Sequence, residues 1–418
     1  MELIQPVRGT ADLLPEAKAR QNQVIETALS AAARYGFQDM ATPIFEFTDV
    51  FSRPLGASSD VVSKETYSFE DRGGTSLTLR PEGTASVMRA ILSGGLTQTL
   101  PQRLFYAGPM FRYERPQKGR MRQFHQIGAE LIGPMGGLAD AEIICLGARI
   151  LRDLGVLDSC VLHLNTLGDD ESRAAYREAL VSYLEGFKAD LSQDSQRRLS
   201  ENPLRILDSK DAGDKQIVEN APRLSEFLNE SSQAHFDTVC AALDAAGISW
   251  IHDPLLVRGL DYYSHTAFEF ITDSLGAQGT VLGGGRYDGL AETLGGPRLP
   301  AVGFAAGIER LALLIEAPQL PTPDVILVSA EPDADIICFQ LAETLRSAGI
   351  STDMPLSGNM GKKLKRANKL GVRFAAIIGG DELQAKTVQL RDMRDGDQQQ
   401  VPQDSLVTII ASSLSEMS

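Results

Sequence analysis

The sequence predicts a chain that mixes helices and strands, with a main body, a helical insertion and a small C-terminal α/β module. Three observations carry this. Ile127, Ala129 and Leu131 alternate with Gln126, Gly128 and Glu130, the period-two pattern of a strand with one buried face. Residues 165–250 are dominated by helical patterns, and between Asp169 and Asp244 they hold 16 acids against 9 bases. From Val325 onward, strand-like and helix-like segments alternate, as in a small α/β domain.

The chain has 418 residues, 43% hydrophobic and 23% charged, enough for two or three domains with a substantial core. Cys145, Cys160, Cys240 and Cys338 lie far apart, with no CxxC pair and no Cys/His ligand spacing. That argues for a reducing compartment and against a structural zinc or any Cys/His metal site. The N-terminal stretch lacks a signal-peptide core, and no run of about 18 apolar residues occurs, so a soluble, cytoplasmic protein is expected, with no membrane partner. A net charge of −15 argues against nucleic acid as a whole-chain sum, but the charge is segregated. Residues 362–373 alone hold six Lys or Arg and no acid.

Taken in order, Pro15 to about Tyr35 has a helical stripe of Val24, Ile25, Ala28 and Leu29, with Gly36 as a stop signal. Phe37 to Phe47 reads as a strand that ends near Pro43. Leu77 to Thr84, LTLRPEGT, reads as a short strand, a Pro/Gly turn and the start of a helix near Ala85. Glu82 and Thr84 fall where acids and hydroxyls cap helices, so capping alone accounts for them.

Phe111 to Glu130, FRYERPQKGRMRQFHQIGAE, reads as strand, loop, strand, with Phe111 and Tyr113 on one face. Its loop holds five Arg or Lys and one Glu between Arg112 and Arg122. A polar floor beside a cationic loop suits a nucleotide phosphate and a second polyanion, while a solvated edge hairpin is the plain alternative. Further on, RGLDYY (258–263) and GGGRYDGL (283–290) stand close together. The glycines are not followed by the helix of a parallel βαβ unit, so a dinucleotide fingerprint is a weak reading. They more simply let backbone approach a ligand. Pro300 to Phe304 and Gly307 to Arg310 read as strand, glycine and helix, with Arg310 in the first helical turn. A cation there opposes the helix dipole unless an anion lies near.

Pro318, Pro321 and Pro323 mark a linker. Beyond it, strands are expected at 325–328, 350–354, 372–378, 388–391 and 407–410, with helices at 335–347 and up to Leu370. On the basic helix Lys362, Lys365, Arg366 and Lys369 share one face, opposite Leu364, Ala367 and Leu370. A solvated face is the ordinary reading. Six charges without a balancing acid in so acidic a chain favour an anionic partner.

These segments, in this order, resemble the class II aminoacyl-tRNA synthetases. The helix and proline-bearing strand of 15–47 resemble motif 1, which forms the dimer interface. FR-x-E, the basic loop and x-Q-x-G-x-E resemble motif 2, and GIER (307–310) resembles motif 3. TLRPEGT, RGLDYY and GGGRYDGL resemble the signatures of histidyl-tRNA synthetases of bacterial type, over essentially the whole chain. The resemblance implies an α+β fold: a class II antiparallel sheet flanked by helices (1–320), the helical insertion (165–250), and an anticodon-binding domain (323–418). It implies a homodimer that joins L-histidine to tRNA(His) with ATP and Mg²⁺, through histidyl-adenylate.

By the same resemblance Arg112 and Arg258 hold the α-phosphate and are catalytic. Arg120 meets the γ-phosphate, and Arg310 the adenine and γ-phosphate. Glu82 and Thr84 take the amino group of histidine, and Gln126, Glu130, Arg258, Tyr262 and Tyr263 complete its site. Arg115 and Gln117 reach the tRNA acceptor end, and the face of Lys362, Lys365, Arg366 and Lys369 meets tRNA from the anticodon domain. Two other readings stand beside this one. A histidine-sensing regulatory paralogue would lack the anticodon domain and often the signature arginines. A class II synthetase for threonine or proline would not carry RGLDYY.

Overall fold

The alternating segment around residue 127 is a long strand, β6 (Gln123–Ile132), paired antiparallel with β5 (Gln102–Phe111) from Gln102↔Ile132 to Phe111↔Gln123. The computed structural model describes residues 3–55, 65–116, 119–207, 209–257, 262–276 and 279–415, which form two units, Met1–Pro318 and Gln319–Ser418. In the first unit the hairpin belongs to a sheet of order β1-β5-β6-β11-β10-β9-β7-β8. The other strands are β1 (Gln38–Met40), β7 (Val161–Thr166), β8 (Trp250–His252), β9 (Ser264–Ile271), β10 (Thr280–Arg286) and β11 (Ala301–Gly307). Pairing is antiparallel throughout the middle and parallel where β1 and β8 join.

One face of this sheet packs against α1 (Pro15–Arg34), α3 (Gly137–Asp153), α7 (Glu230–Ala245) and α8 (Ile308–Ala312), with Ile127, Ala129 and Leu131 pointing into that core. The opposite face packs on α2 (Thr84–Ser93) through Val87, Met88 and Ile91, and gathers Tyr106, Tyr262, Tyr263 and Tyr287. The strand is therefore buried on both sides. Glu130, expected on a polar face, is fully buried.

Phe37 to Phe47 is not one strand. Pro43 offers no N–H to a ladder, and the chain changes sheets there. Gln38–Met40 joins the large sheet, while β2 (Phe45–Phe47) pairs with β4 (Ser76–Leu79), which pairs with β3 (Tyr67–Glu70). Tyr113 lies beyond the end of β5, and its N–H donates to the Glu65 carbonyl at 2.7 Å instead of a β6 partner.

The helical segment has its own core. α4 (Asp170–Glu185), α5 (Gln193–Glu201) and α6 (Ala212–Glu219) gather Tyr176, Leu180, Leu199 and Val218. It is narrower than 165–250: β7 is a strand of the main sheet, and Phe236, Val239 and Leu243 of α7 belong to the main core.

In the second unit β12 (Val325–Ser329) lies between β13 (Thr352–Asp353) and β14 (Phe374–Ile378), parallel to both. β15 (Thr387–Asp392) and β16 (Gln398–Pro402) continue it antiparallel. The helices are α9 (Asp335–Ser347), α10 (Met360–Leu370) and α11 (Leu406–Ser415). The strand expected at 407–410 is part of α11. Its β-branched run reads as a strand, but Leu406 and Ile410, four residues apart, are the positions that reach the core. The last strand is β16, QQQVP, where only Val401 is buried, so it shows no apolar alternation.

Candidate active site

Four elements converge on one cleft in the first unit. The turn before α2 and its first residue supply Glu82 and Thr84, β6 and its preceding loop supply Arg112, Arg120 and Gln126, and the segment before β9 supplies Tyr262 and Tyr263. Arg310 comes from α8. All eight line a cavity of about 210 Å³, together with Glu114, Phe124, Gly283 and Glu309.

Glu82 and Thr84 show why the capping and binding readings coincide. The Glu82 carboxylate accepts from the N–H groups of Thr84 and Ala85 at 2.7 and 2.8 Å, the exposed donors of a helix start. It also forms part of the cavity wall, and burial raises its pKa. The glycine that follows is required by packing. A Cβ on Gly83 would stand 2.3 Å from the Tyr106 ring, and one on Gly128 would stand 2.2 Å from it.

The cationic side of the cleft is held in place by acids. Arg112 donates from Nε to the Pro81 carbonyl at 2.9 Å and lies over the Phe124 ring at 5.3 Å. Arg120 donates to Glu114 at 2.9 Å. Burial, then the neighbouring Arg120 charge, lowers the pKa of Arg310. Two cations that repel across a cleft are stabilised when an anion enters between them. Glu309, at the start of α8, accepts from the His125 N–H at 2.9 and 3.0 Å and lies 2.7 Å from its Nδ1, which ties the Arg310 helix to β6.

The other side is aromatic and polar. Tyr262 and Tyr263 stand 4.8 Å apart by ring centroid, and Tyr287 meets them edge-on at 5.7 and 6.3 Å. Gln126 Oε1 and the Tyr262 hydroxyl are buried without a hydrogen-bond partner within the described protein. Buried polar atoms are rarely left so, and at a cleft they mark where a ligand's polar groups belong.

Glu130 is placed differently from the expectation. It does not line the cavity; it lies behind the lining, accepting from Thr84 Oγ1 at 2.7 Å and from the Tyr287 hydroxyl. Gly303 makes room for it, since a Cβ there would fall 1.7 Å from Glu130 Oε2. Burial raises the Glu130 pKa to about 8 despite those two donors. Arg115 is exposed and outside the cavity lining, and Arg258 and Gln117 fall outside the described residues. The glycine run is split in purpose. Gly283 lines the cavity, while Gly284 and Gly285 admit protein: Cβ atoms there would meet the Gly303 carbonyl at 2.0 Å and the Thr266 carbonyl at 2.4 Å.

Tyr287, Glu114 and Glu309 were not singled out from the sequence. Tyr287 sits within GGGRYDGL, and the two glutamates stand within two residues of Arg112 and Arg310, so proximity to a predicted cation was the available signal.

Comparisons with known proteins point to one family. The profile of the family described as histidyl-tRNA synthetase matches residues 9–311, and that of the anticodon binding domain matches 324–413. A histidine–tRNA ligase of Rhodospirillum rubrum is 56% identical over 402 residues, covering 96% of this chain and 97% of that protein. One of Gluconacetobacter diazotrophicus is 54% identical, covering 98% and 99%. The crystal structure of apo histidyl-tRNA synthetase from S. aureus superposes with a TM-score of 0.83 at 36% identity, covering 98% of this chain and 100% of that one. With its profile matched across most of its length and its relatives matched nearly end to end, the chain belongs to the histidyl-tRNA synthetase family.

Proposed function

We propose a division of labour within this cleft for the two-step reaction of the family, in which histidine and ATP give histidyl-adenylate and pyrophosphate, and histidine then passes to the 3′ end of tRNA. The histidine carboxylate attacks the α-phosphate, and no covalent bond to the protein is needed. What the protein must supply is position and charge neutralisation. Arg112 takes the α-phosphate, Arg120 the γ-phosphate, and Arg310 the adenine and γ-phosphate end. Arg258, which lies outside the described residues, is assigned to the α-phosphate together with Arg112. Mg²⁺ would be held by one or two carboxylates plus phosphate oxygens, and of the three lining carboxylates Glu114, paired with Arg120, and Glu309, next to Arg310 in sequence, are the two on the phosphate side. When bound, it would neutralise charge on the departing pyrophosphate.

Histidine takes the other half of the cleft. Glu82 and Thr84 receive its amino group, and Gln126, Tyr262 and Tyr263 face its side chain, with Glu130 supporting them from behind through Thr84. The observation that carries this reading is the pair of polar atoms without a partner among the described residues, Gln126 Oε1 and Tyr262 OH, beside the three cations. Arg115 and Gln117 lie in the loop assigned to the tRNA acceptor end. Residues 323–418 serve as the anticodon-binding domain. A homodimer is supported by apolar side chains on and beside the small sheet: Ile44, Phe45, Phe47 and Phe69 are 44, 53, 63 and 45% exposed. A cytoplasmic location is supported by four free cysteines, and no described helix is long and apolar enough to cross a membrane.

The decisive experiment is ATP–pyrophosphate exchange with each amino acid in turn. Exchange that depends on histidine and is at least about 10³-fold weaker with leucine or phenylalanine supports the assignment. Equal exchange with an amino acid lacking ring nitrogens would overturn it.

A further inference from the structure

Outside the cavity lining, a buried ion pair joins Asp140 of α3 to Arg286 at the end of β10. The two residues are 0% and 1% exposed. Arg286 Nε donates to Asp140 Oδ1 at 2.9 Å, and Nη2 donates to the same oxygen. Nη1 donates to Asp288 Oδ1 at 3.0 Å and to the Pro134 carbonyl at 3.3 Å. Asp140 Oδ2 accepts from the Thr266 hydroxyl at 2.5 Å and lies 2.7 Å from His235 Nε2. Asp288 Oδ1 also accepts the Ala301 N–H at 3.0 Å. Helices α3 and α7 and strands β9, β10 and β11 thus meet at one carboxylate–guanidinium pair.

Such a pair is a poor source of net stability, because desolvating both ions offsets most of their attraction. What it provides is direction, since a forked donor and a carboxylate fix one another's orientation. Its location shows what is being oriented. The β9–β10 ladder slips at this point: Gly285 pairs with Ala267 but Arg286 pairs with Ser264, so His265 and Thr266 form a bulge. His265 sits there at φ 46, in the left-handed region a residue with a Cβ rarely adopts. A strained backbone of that kind persists only where its surroundings over-determine it. Here Thr266 is held by Asp140, and the His265 ring stacks on His235 at 4.6 Å and 20°.

Both ends of the bulge lead to the cleft. Tyr262 and Tyr263 precede it on one strand. On the other, Tyr287 directly follows Arg286 and donates to Glu130. The Tyr263 ring also lies where a Cβ on Gly285 would stand, at 2.9 Å.

We propose that the Asp140–Arg286 pair is a positioning device for the amino-acid half of the cleft, holding the His265–Thr266 bulge that aims Tyr263 and seating Tyr287 on Glu130. This rests on the assignment of that half to histidine. Neither residue touches the cavity, so each acts through others.

The test uses the full chain and three substitutions, Arg286→Lys, Thr266→Val and Thr266→Ser, with Glu130→Gln as reference. Pyrophosphate exchange gives KM for histidine and for ATP separately. Arg286→Lys keeps the charge but loses the fork, and should raise the histidine KM about tenfold or more, with the ATP KM within about twofold. Thr266→Val removes one hydroxyl at nearly constant shape and should move the histidine KM in the same direction by about threefold or more, with Thr266→Ser restoring it. Because Thr266→Val is so mild, it carries the test even if Arg286→Lys does not fold. If Glu130→Gln raises the histidine KM while Thr266→Val leaves it at the wild-type value, the positioning role is overturned and the site assignment stands. If the Thr266 and Arg286 variants shift both KM values together, the pair is merely structural. No effect of Glu130→Gln on histidine would remove the site assignment itself, and the inference with it.

Discussion

At the scale of single residues, the half of the cleft assigned to histidine includes buried polar groups that the described protein leaves unpaired. The Tyr262 hydroxyl is buried with no partner among the described residues, a state that costs roughly 1–3 kcal/mol relative to a paired group. Tyr262→Phe should therefore leave the empty protein as stable as the wild type, or more stable by about 1 kcal/mol, while raising the histidine KM. Thermal melts with and without histidine check both halves; a destabilised empty variant would mean that the hydroxyl is already satisfied. Glu130 offers a second case. Its pKa rises from 4.5 to about 8 in the fold, so between those values the folded chain holds a proton that the unfolded chain has released. Stability from this residue is therefore greatest at low pH and declines as pH rises from about 4.5 to about 8. Glu130→Gln, which does not titrate, should lose less stability than the wild type across that window, and ligand-free melts at both ends measure the difference. Neither property was legible in the sequence. Alternation placed Glu130 opposite Ile127 and Leu131, but only the packing of α2 on that face shows that it is buried too.

At the scale of elements, periodicity was readable where one face met water and misleading elsewhere. α1 and α10 were recognisable because their stripes and stops are strong: Asn359 caps α10 by accepting the Lys362 N–H at 3.0 Å, and Gly371 ends it at φ 69. The edge strand β16 and the apolar helix α11 exchanged signals, since an edge strand can be polar and a β-branched helix can look extended. α10 holds five of the six like charges that the sequence counted over residues 362–373, and the structure separates those five by role. Lys363 is 7% exposed and donates to the Ser329 carbonyl and hydroxyl at 3.0 and 2.7 Å. Arg366 donates to Asp353 at 2.7 Å. Lys362, Lys365 and Lys369 are exposed on the remaining face. Replacing those three with alanine should weaken tRNA binding and make log K less steep against log salt, by roughly one in slope for each phosphate that a lysine neutralises. Lys363→Ala should instead destabilise the unit by about 1–3 kcal/mol, by removing the donor to the Ser329 carbonyl and hydroxyl, with the salt slope unchanged. A salt slope that is the same in the triple variant and the wild type would rule out this face as the tRNA-binding surface.

At the scale of the whole molecule, adenylation and tRNA recognition are assigned to different parts of the chain. Every lining residue of the cleft lies within Met1–Pro318, and that unit carries its own two-faced core. Gln319–Ser418 has a separate sheet with apolar cores on both faces. The three prolines at 318, 321 and 323 mark the boundary in sequence because a linker need carry little packing of its own. Removing residues 319–418 should thus leave histidine-dependent pyrophosphate exchange largely intact, since the groups assigned to histidine and ATP all remain. Charging of tRNA is a different matter. A substrate held at two places gains affinity from the second by effective concentration, typically 10²- to 10⁴-fold without any new chemistry, and the shortened chain forfeits that gain. Charging at low tRNA concentration should therefore fall by about 10²-fold or more, and should recover partly as tRNA is raised. That partial recovery separates weakened binding from a damaged active site, which no excess of tRNA would restore. A shortened chain that charges tRNA as well as the intact one at low concentration would remove the C-terminal unit from tRNA recognition.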